Sequence, residues 1–375
     1  MDMGGIEMEK LKVGIVGAAG RPSAFLAAFK ESGKAALTAA CDLNPEALDN
    51  TLSGIEGVDR YTDYMEMLDK GNLDIVIIGT PMHLHVSQSI DALKKNIHVF
   101  SEVTAAISIE ECKMLLEASK TSSAQYMMGE NCNYMKPYMV IQEMVCAGVF
   151  GDVYYAEGEY LHDCRELLYK TPWRRKYQFE TRGITYGTHS LGPILSWMDG
   201  DRVESVCCAG TGRHNLDLTG APIGGDDSAV MLCKTAKGRL IKIRTDISSP
   251  RPYGLNYALQ GTSAAYEGSH LGKGNDTNQV WVDGESEKGK WDELTKYEEK
   301  YLPKLWRDIG KKAEESGHGG SDVVIMTDFI DSIYDGRKVP IDIYDSLDMT
   351  LPGLVSQNSI LQEGRWLPVP DPREW

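Results

Sequence analysis

Between Lys12 and Met128 short apolar runs alternate with stretches whose apolar residues recur every three or four positions. The runs Lys12–Val16, Leu37–Cys41, Asp74–Ile78, His98–Glu102 and Gln125–Met128 read as strands, and they are short and predominantly apolar, as strands covered on both faces must be. Helical spacing fills the gaps at Phe25–Phe29, Pro45–Leu52, Val86–Lys95 and Ile109–Ser119. Asn44 before Pro45, and Ser108 before Glu110 and Glu111, put capping and acidic residues at two of the helix starts. Strand and helix in strict alternation predict βαβ units and a doubly wound parallel sheet.

From about Tyr134 the pattern changes. A helical stretch, Lys136–Ala147, leads into a long strand, Val153–Leu161. Further strands follow at Val203–Ala209, Ala229–Lys234, Leu240–Asp246, Tyr257–Gln260 and Gln279–Val282 with no helical pattern between them. Such a succession predicts a largely antiparallel sheet. Helical patterns return near Asp322–Tyr334 and Tyr344–Gln362, while residues 283–318, rich in Lys, Glu and Gly, read as a surface excursion. The expected fold class is therefore α/β followed by α+β. Residues 1–130 form a doubly wound parallel sheet, and residues 131–375 form a substrate-binding and oligomerisation domain on a large, open, mostly antiparallel sheet.

Composition narrows the partners. At 375 residues with 42% apolar content the chain can bury a normal core in each of two domains. A formal charge of −16 and a pI near 5.0 argue against nucleic acid and anionic membranes. Residues 1–10 lack the basic start and apolar stretch of a signal peptide, and no later run reaches the length of a membrane span. The expectation is a soluble, cytoplasmic protein. The eight cysteines are scattered without a C-x-x-C pair, and they read as reduced core residues rather than as disulfides or a zinc site.

The first strand runs into Gly17-Ala18-Ala19-Gly20-Arg21-Pro22. A glycine-rich turn at this place lets backbone N–H groups approach a pyrophosphate, with the following helix favouring its charge. The match to G-x-G-x-x-G is partial. Ala19 stands at the second glycine and is small enough for close approach; Pro22 stands at the third and fits a first helical turn. The second strand ends in Asp42, an acceptor for the adenosine ribose hydroxyls that repels a 2′-phosphate. The expected cofactor is NAD rather than NADP.

Two later segments carry a resemblance. Gly79-Thr80-Pro81-Met82-His83-Leu84-His85 and Ser101-Glu102-Val103-Thr104 resemble the T-P-N-x-x-H and E-K-P segments of the Gfo/Idh/MocA oxidoreductases. The resemblance implies an N-terminal Rossmann domain in which Thr80, Pro81 and His85 line the nicotinamide-ribose side and Glu102 holds the loop, with Gly17, Ala19, Gly20, Arg21, Asp42, Val103 and Asn131 also in the cofactor set. Val103 stands where that family has its catalytic lysine, so proton chemistry must come from the second domain. Glu130-Asn131-Cys132-Asn133-Tyr134, Gly158-Glu159-Tyr160-Leu161-His162-Asp163, Tyr186-Gly187-Thr188-His189-Ser190-Leu191-Gly192-Pro193 and Gly317-His318-Gly319-Gly320-Ser321-Asp322 resemble the lysine-lacking branch. That branch comprises glycoside 3-oxidoreductases and the NAD-dependent glycosidases of glycoside hydrolase family 109. Self-association through the exposed face of the second-domain sheet, making a homo-oligomer, is a further implication.

His189 matches the histidine of the family's D-x-x-x-H motif, with Thr185 replacing the aspartate. A neutral imidazole near pH 7 can take the proton of a sugar hydroxyl while hydride leaves the same carbon. Tyr186, three residues earlier, shares a face with it if the stretch is helical. These two are the candidate catalytic residues. Tyr134, Tyr160, His162, Asp163, Trp173, Arg174 and His318 are the candidate substrate residues, offering aromatic faces and donors suited to a pyranose. His83 and His85 share a face if their segment is a strand, but no metal is expected. The expected reaction is NAD-dependent oxidation of a ring hydroxyl, at C3, of a sugar or glycoside. One alternative is a complete redox glycosidase that also releases the aglycone. Another, of a different class, is a non-catalytic sensor binding dinucleotide and sugar.

Overall fold

The strands of the first sheet other than its polar edge are short and largely buried. In the computed structural model, which describes residues 9–30, 32–268, 278–314 and 317–375, the sheet's strands are β1 (Leu11–Val16), β2 (Ala35–Cys41), β3 (Asp59–Tyr61), β4 (Ile75–Ile78), β5 (His98–Ser101) and β6 (Tyr126–Met128). All pairings are parallel, in the order β3-β2-β1-β4-β5-β6. The order reverses between β1 and β4, so successive connections leave for opposite faces and the carboxyl ends of these two strands open a crevice. Val13, Ile15 and the whole of β4 have no solvent exposure, and each such side chain contributes about 1.5–3 kcal/mol relative to an exposed one.

The unit built on this sheet comprises Met1–Val103, Met114–Gly129 and Lys311–Ile343. Helix Ser321–Tyr334 therefore belongs to it, although nearly two hundred residues separate that helix from β6. Its Phe329 ring lies 5.3 Å from that of Phe100 on β5, and Phe25 meets the same ring edge-on at 5.2 Å. Helix Pro45–Thr51 is capped by the Asn44 side chain, which accepts from the Ala47 N–H. Helix Ile109–Thr121 starts at a reciprocal cap: the Ser108 hydroxyl accepts from the Glu111 N–H, and the Glu111 carboxylate accepts from the Ile107 N–H.

The second unit comprises Thr104–Lys113, Glu130–Gly310 and Tyr344–Trp375. Its strands are β7 (Val153–Leu161), β8 (Val203–Gly210), β9 (Ser228–Thr235), β10 (Leu240–Asp246), β11 (Gly254–Gly261), β12 (Ala264–Glu267), β13 (Gln279–Val282), β14 (Asp292–Glu293) and β15 (Leu367–Pro368). Among the described residues they form a sheet in the order β14-β13-β12-β11-β7-β10-β9-β8-β15, antiparallel except where β7 pairs with β10. Ala156, Gly158 and Tyr160 of β7 face inward, while Tyr155, Glu157 and Glu159 on the other face are partly exposed. Helix Thr188–Trp197 lies against the inner face. Gly158 permits this, because a Cβ there would fall 2.9 Å from the Ser190 Cβ and 3.0 Å from the Ile194 Cδ1.

The surface excursion expected over 283–318 is corrected: this stretch includes helices Thr295–Tyr301 and Lys304–Glu314, with residues 315 and 316 outside the described ones. Its charged composition hides a core anchor. Trp306 is 2% exposed, and its indole N–H donates to the Tyr134 carbonyl at 3.0 Å. All eight cysteines are free, but Cys146 is exposed rather than in the core. No helix of the described residues is long and apolar enough to cross a membrane.

Candidate active site

In the first unit the crevice between β1 and β4 is lined by backbone held close. Gly17 has φ +76°, and a Cβ on it would sit 2.8 Å from the Gly79 carbonyl oxygen. A Cβ on Gly79 would collide with Pro22 Cγ at 1.8 Å. Both glycines are thus required for the turn after β1 and the loop after β4 to touch. The Asp42 carboxylate finishes the cradle: one oxygen accepts from the Ala19 N–H and the other from the Asn44 N–H, both at 3.0 Å. The first helical turn after Gly20 has no side-chain cap. A narrow, backbone-lined turn beside a carboxylate fits a dinucleotide diphosphate and its ribose.

After β4, His85 is buried and its Nε2 lies 2.8 Å from the Thr80 carbonyl oxygen. The ring nitrogen therefore fastens the Thr80–Pro81 loop. The Thr80 hydroxyl donates to Gln88 Oε1 at 2.6 Å. Residues 82–84 form a helical turn and His85 begins helix His85–Lys94, so the strand geometry that would align His83 with His85 is absent. Glu102 and Val103 follow β5, with Val103 6% exposed. Arg21 reaches from the glycine-rich turn to within 3.6 Å of Glu102.

In the second unit a cluster forms around His189. Its Nδ1 is 2.6 Å from Glu130 Oε1, and Glu130 has no solvent exposure. Cys132 tightens the pair, its N–H donating to the same oxygen at 3.2 Å and its Sγ lying 3.5 Å from Nδ1. Gly192 lets the helix come this near; a Cβ there would be 2.2 Å from Asn133 Oδ1 and 2.7 Å from Glu130 Cγ. Pro193 follows inside the same helix. It has no N–H for the His189 carbonyl four residues back, and the Tyr257 hydroxyl donates to that carbonyl instead.

Aromatic rings wall the cluster. The Tyr160 ring lies 5.2 Å from that of His189 and 6.0 Å from that of His162, so it touches both imidazoles, and its hydroxyl shares a 3.2 Å hydrogen bond with His162 Nδ1. Tyr186 precedes the helix but still meets His189 edge-on at 4.8 Å. Tyr253 packs against His162 at 5.0 Å. Asp163 does not pair with His162: its oxygens take Arg165 Nε and Nη2 at 2.8 and 2.7 Å. The Arg174 guanidinium stacks 4.3 Å above the Trp173 ring and donates to Gln178. Tyr134 and Asn131 are buried in the 131–134 turn. His318 belongs to the first unit, where its Nδ1 lies 2.8 Å from Asp322.

The two imidazoles titrate in opposite directions. Burial disfavours the His189 cation, but the adjacent Glu130 carboxylate and Cys132 outweigh it and raise its pKa well above the ordinary imidazole value. Burial lowers the pKa of His162, with Asp163 opposing only in part, so this ring is neutral. Burial likewise keeps Cys132 and Tyr160 protonated. Glu130, Cys132 and His189 offer ligand-type atoms within 4.8 Å of one another, and among the described residues they are the group best placed to take a cation.

Comparison with known proteins finds two family matches along the chain. Residues 11–130 match the NAD-binding Rossmann-fold oxidoreductase family, and residues 134–374 match the C-terminal domain of glycosyl hydrolase 109. The chain belongs to family 109. Within that family it is similar to an alpha-N-acetylgalactosaminidase of Shewanella oneidensis, 30% identical over 400 residues that cover 97% of this chain and 85% of the relative. It is also similar to a family 109 protein of a Shewanella species, 30% identical over 404 residues with the same coverage. An NAD-binding oxidoreductase from Klebsiella pneumoniae shares the fold at a TM-score of 0.79 with 17% identity, covering 96% of this chain and all of that one. So does a levoglucosan dehydrogenase solved with NADH and L-sorbose, at 0.79 and 19%, covering 97% and 100%. The family 109 chain is thus an NAD-binding member of the Gfo/Idh/MocA oxidoreductases.

Several cluster residues escaped the sequence reading. Glu130 stands in a segment singled out for its resemblance, yet its partner lies 59 residues away and no spacing rule joins them. Tyr253 and Tyr257, flanking or within β11, carry no motif.

Proposed function

We propose that this chain is an NAD-dependent redox glycosidase that oxidises a ring hydroxyl of a glycoside, at C3, and releases the aglycone. The observation that carries the reading is the buried Glu130 carboxylate on His189 Nδ1, which assigns the other ring nitrogen, Nε2, to the substrate. NAD bound in the cradle of the first unit would supply a hydride acceptor at the start and a hydride donor at the end. Gly17, Ala19, Gly20, Arg21, Asp42, Thr80, Pro81, Glu102 and Val103 would hold it, with His85 fastening the loop.

His189 Nε2 takes the hydroxyl proton as the carbon is oxidised, and Glu130 stabilises the cation that results. Its raised pKa suits it to keep that proton until the keto group is reduced again. The ketone acidifies the neighbouring C–H. His162, neutral and hydrogen-bonded to Tyr160, is the base for that second proton. Two histidines pushed in opposite directions by their surroundings divide the acid and base roles. Tyr186, Tyr253 and the Trp173–Arg174 stack supply faces and donors for the sugar. The likeness to a galactosaminidase supports a glycoside as substrate.

Nitrophenyl glycosides separate the readings, with absorbance followed for NADH and for the aglycone. Aglycone release without net NADH supports the glycosidase. Stoichiometric NADH without aglycone replaces it by the simple dehydrogenase. Silence with a panel of N-acetylated and plain hexosides, despite NAD binding, overturns both in favour of a sensor.

A further inference from the structure

Asp322 has no solvent exposure, and both of its oxygens are engaged. Arg21 Nη2 donates to Oδ1 at 2.6 Å, and His318 Nδ1 lies 2.8 Å from Oδ2. A carboxylate withdrawn from water persists as an anion only when paired in this way, and these partners hold its pKa below the usual carboxylate range against the effect of burial. Arg21 is the residue after Gly20 in the glycine-rich turn. Its Nε is also 3.6 Å from Glu102, whose side chain is 12% exposed, and its guanidinium lies 5.1 Å over the Phe25 ring. One cation therefore links the loop after β1, the end of β5 and the first turn of helix Ser321–Tyr334, elements drawn from both ends of the chain.

The approach to Asp322 is built for this contact. His318, Gly319 and Gly320 all have positive φ, at +52°, +62° and +97°. A Cβ on Gly320 would fall 2.7 Å from the Ala313 carbonyl carbon. This tight left-handed segment returns the His318 ring onto the carboxylate it precedes by four residues.

We propose that Asp322 is a positioning residue for the dinucleotide, acting through Arg21, with His318 as the second arm of the clamp. A long guanidinium side chain free to change rotamer would leave the glycine-rich turn and Glu102 unfixed. Held by Asp322, Arg21 sets the shape and the charge of the two loops assigned to NAD. The inference rests on that cofactor assignment. It also gives His318 a role at the cofactor rather than at the sugar.

The test is a double-mutant cycle on NAD affinity, read by calorimetry well below the melting temperature of each variant. Wild type, Asp322→Asn, Arg21→Gln and the double variant are titrated with NAD. Each single change is expected to raise Kd on the order of 10-fold, and the double variant to be no worse than Arg21→Gln alone, because contacting residues are not additive. Additive losses, or an unchanged Kd in Asp322→Asn, overturn the proposal. Should Asp322→Asn not fold, His318→Ala leaves Arg21 its carboxylate and carries the test. A Kd rise of about 2- to 5-fold, near the low end of such couplings, supports the clamp, and an unchanged value sinks it. A wild type that does not bind NAD refutes the cofactor reading along with it, whereas normal wild-type binding with indifferent variants refutes the clamp alone.

Discussion

The main-chain carbonyl of His189 receives its hydrogen bond from the Tyr257 hydroxyl, because Pro193 occupies the position whose N–H would otherwise supply it. Tyr257 has no solvent exposure, so Tyr257→Phe leaves a buried acceptor unsatisfied at a cost of about 1–3 kcal/mol. Pro193→Ala restores a helical donor, and it should stabilise the Tyr257→Phe background more than it stabilises the wild type. Urea denaturation of the four proteins measures the difference. Equal effects of Pro193→Ala in both backgrounds would show that the phenol is not replacing the missing N–H.

The Glu130–His189 pair makes both stability and rate depend on pH. The folded-state pKa of His189 lies above its unfolded value, so its contribution to stability is complete below the ordinary imidazole value and is lost as pH rises through the raised one. Melting temperature should therefore decline on the alkaline side, and Glu130→Gln should flatten that decline. Hydride transfer needs the neutral ring, so its rate should climb to a limb above pH 6.5. Glu130→Gln should move the limb to lower pH. His189→Asn should cost roughly 10²–10⁴-fold in NADH formation with little change in cofactor affinity. Tyr186→Phe should cost less. Stopped-flow measurements across pH decide between them, and near-normal transfer in the His189 variant would end its assignment as base.

Gly192→Ala tests the approach of the helix to Glu130. The added methyl meets Asn133 and Glu130 at 2.2 and 2.7 Å, an overpacking worth about 1–3 kcal/mol. Separation of the pair should bring the His189 titration, followed by NMR, back toward its ordinary value. An unperturbed titration would mean the carboxylate is not what raises it.

Asp42→Ala should have two effects rather than one. Losing the carboxylate narrows the preference for NAD over NADP, since no like charge meets the 2′-phosphate. It also releases the Ala19 and Asn44 N–H groups, so affinity for both cofactors should fall. Calorimetry with each dinucleotide separates the two, and tighter binding of NADP by the wild type would overturn the assignment.

Val103, at the position that the resemblance aligns with a lysine, is buried. Val103→Ala should keep most of the activity at a stability cost of about 1–3 kcal/mol. Val103→Lys introduces a charge into the same space and should lower both activity and melting temperature. A large gain in turnover from the lysine variant would show that proton transfer still runs through that position.

The parallel half of the fold was legible because burial makes most of its strands predominantly apolar runs; β1, β2, β4, β5 and β6 all lie within two residues of their expected ends. β7, β10 and β13 were placed to the residue. β3 was missed because Asp59-Arg60-Tyr61 is a polar edge strand with one neighbour. Helix Thr188–Trp197 was missed because Gly192-Pro193 reads locally as a break, whereas the glycine serves a close approach and the proline is compensated by a phenol. His189, Tyr186, Tyr160 and His162, expected from their segments, lie in one cluster of the second unit. Their partners Glu130, Tyr253 and Tyr257 carried no sequence signal of these contacts, since only the tertiary fold makes them neighbours.

Helix Ser321–Tyr334, which sets Phe329 against Phe100 and lends Asp322 to Arg21, fixes when the parallel-sheet unit can mature during synthesis. The ribosome delivers all six strands of that unit within the first 128 residues, yet the helix that completes it emerges only after the whole antiparallel sheet except its last short strand. The nascent parallel-sheet segment must wait, with part of its apolar surface uncovered, while an interposed domain is made and folds. Waiting of this kind favours association with chaperones over early, independent folding. Expression of the first 130 residues alone would yield a nucleotide-binding unit without its closing helix.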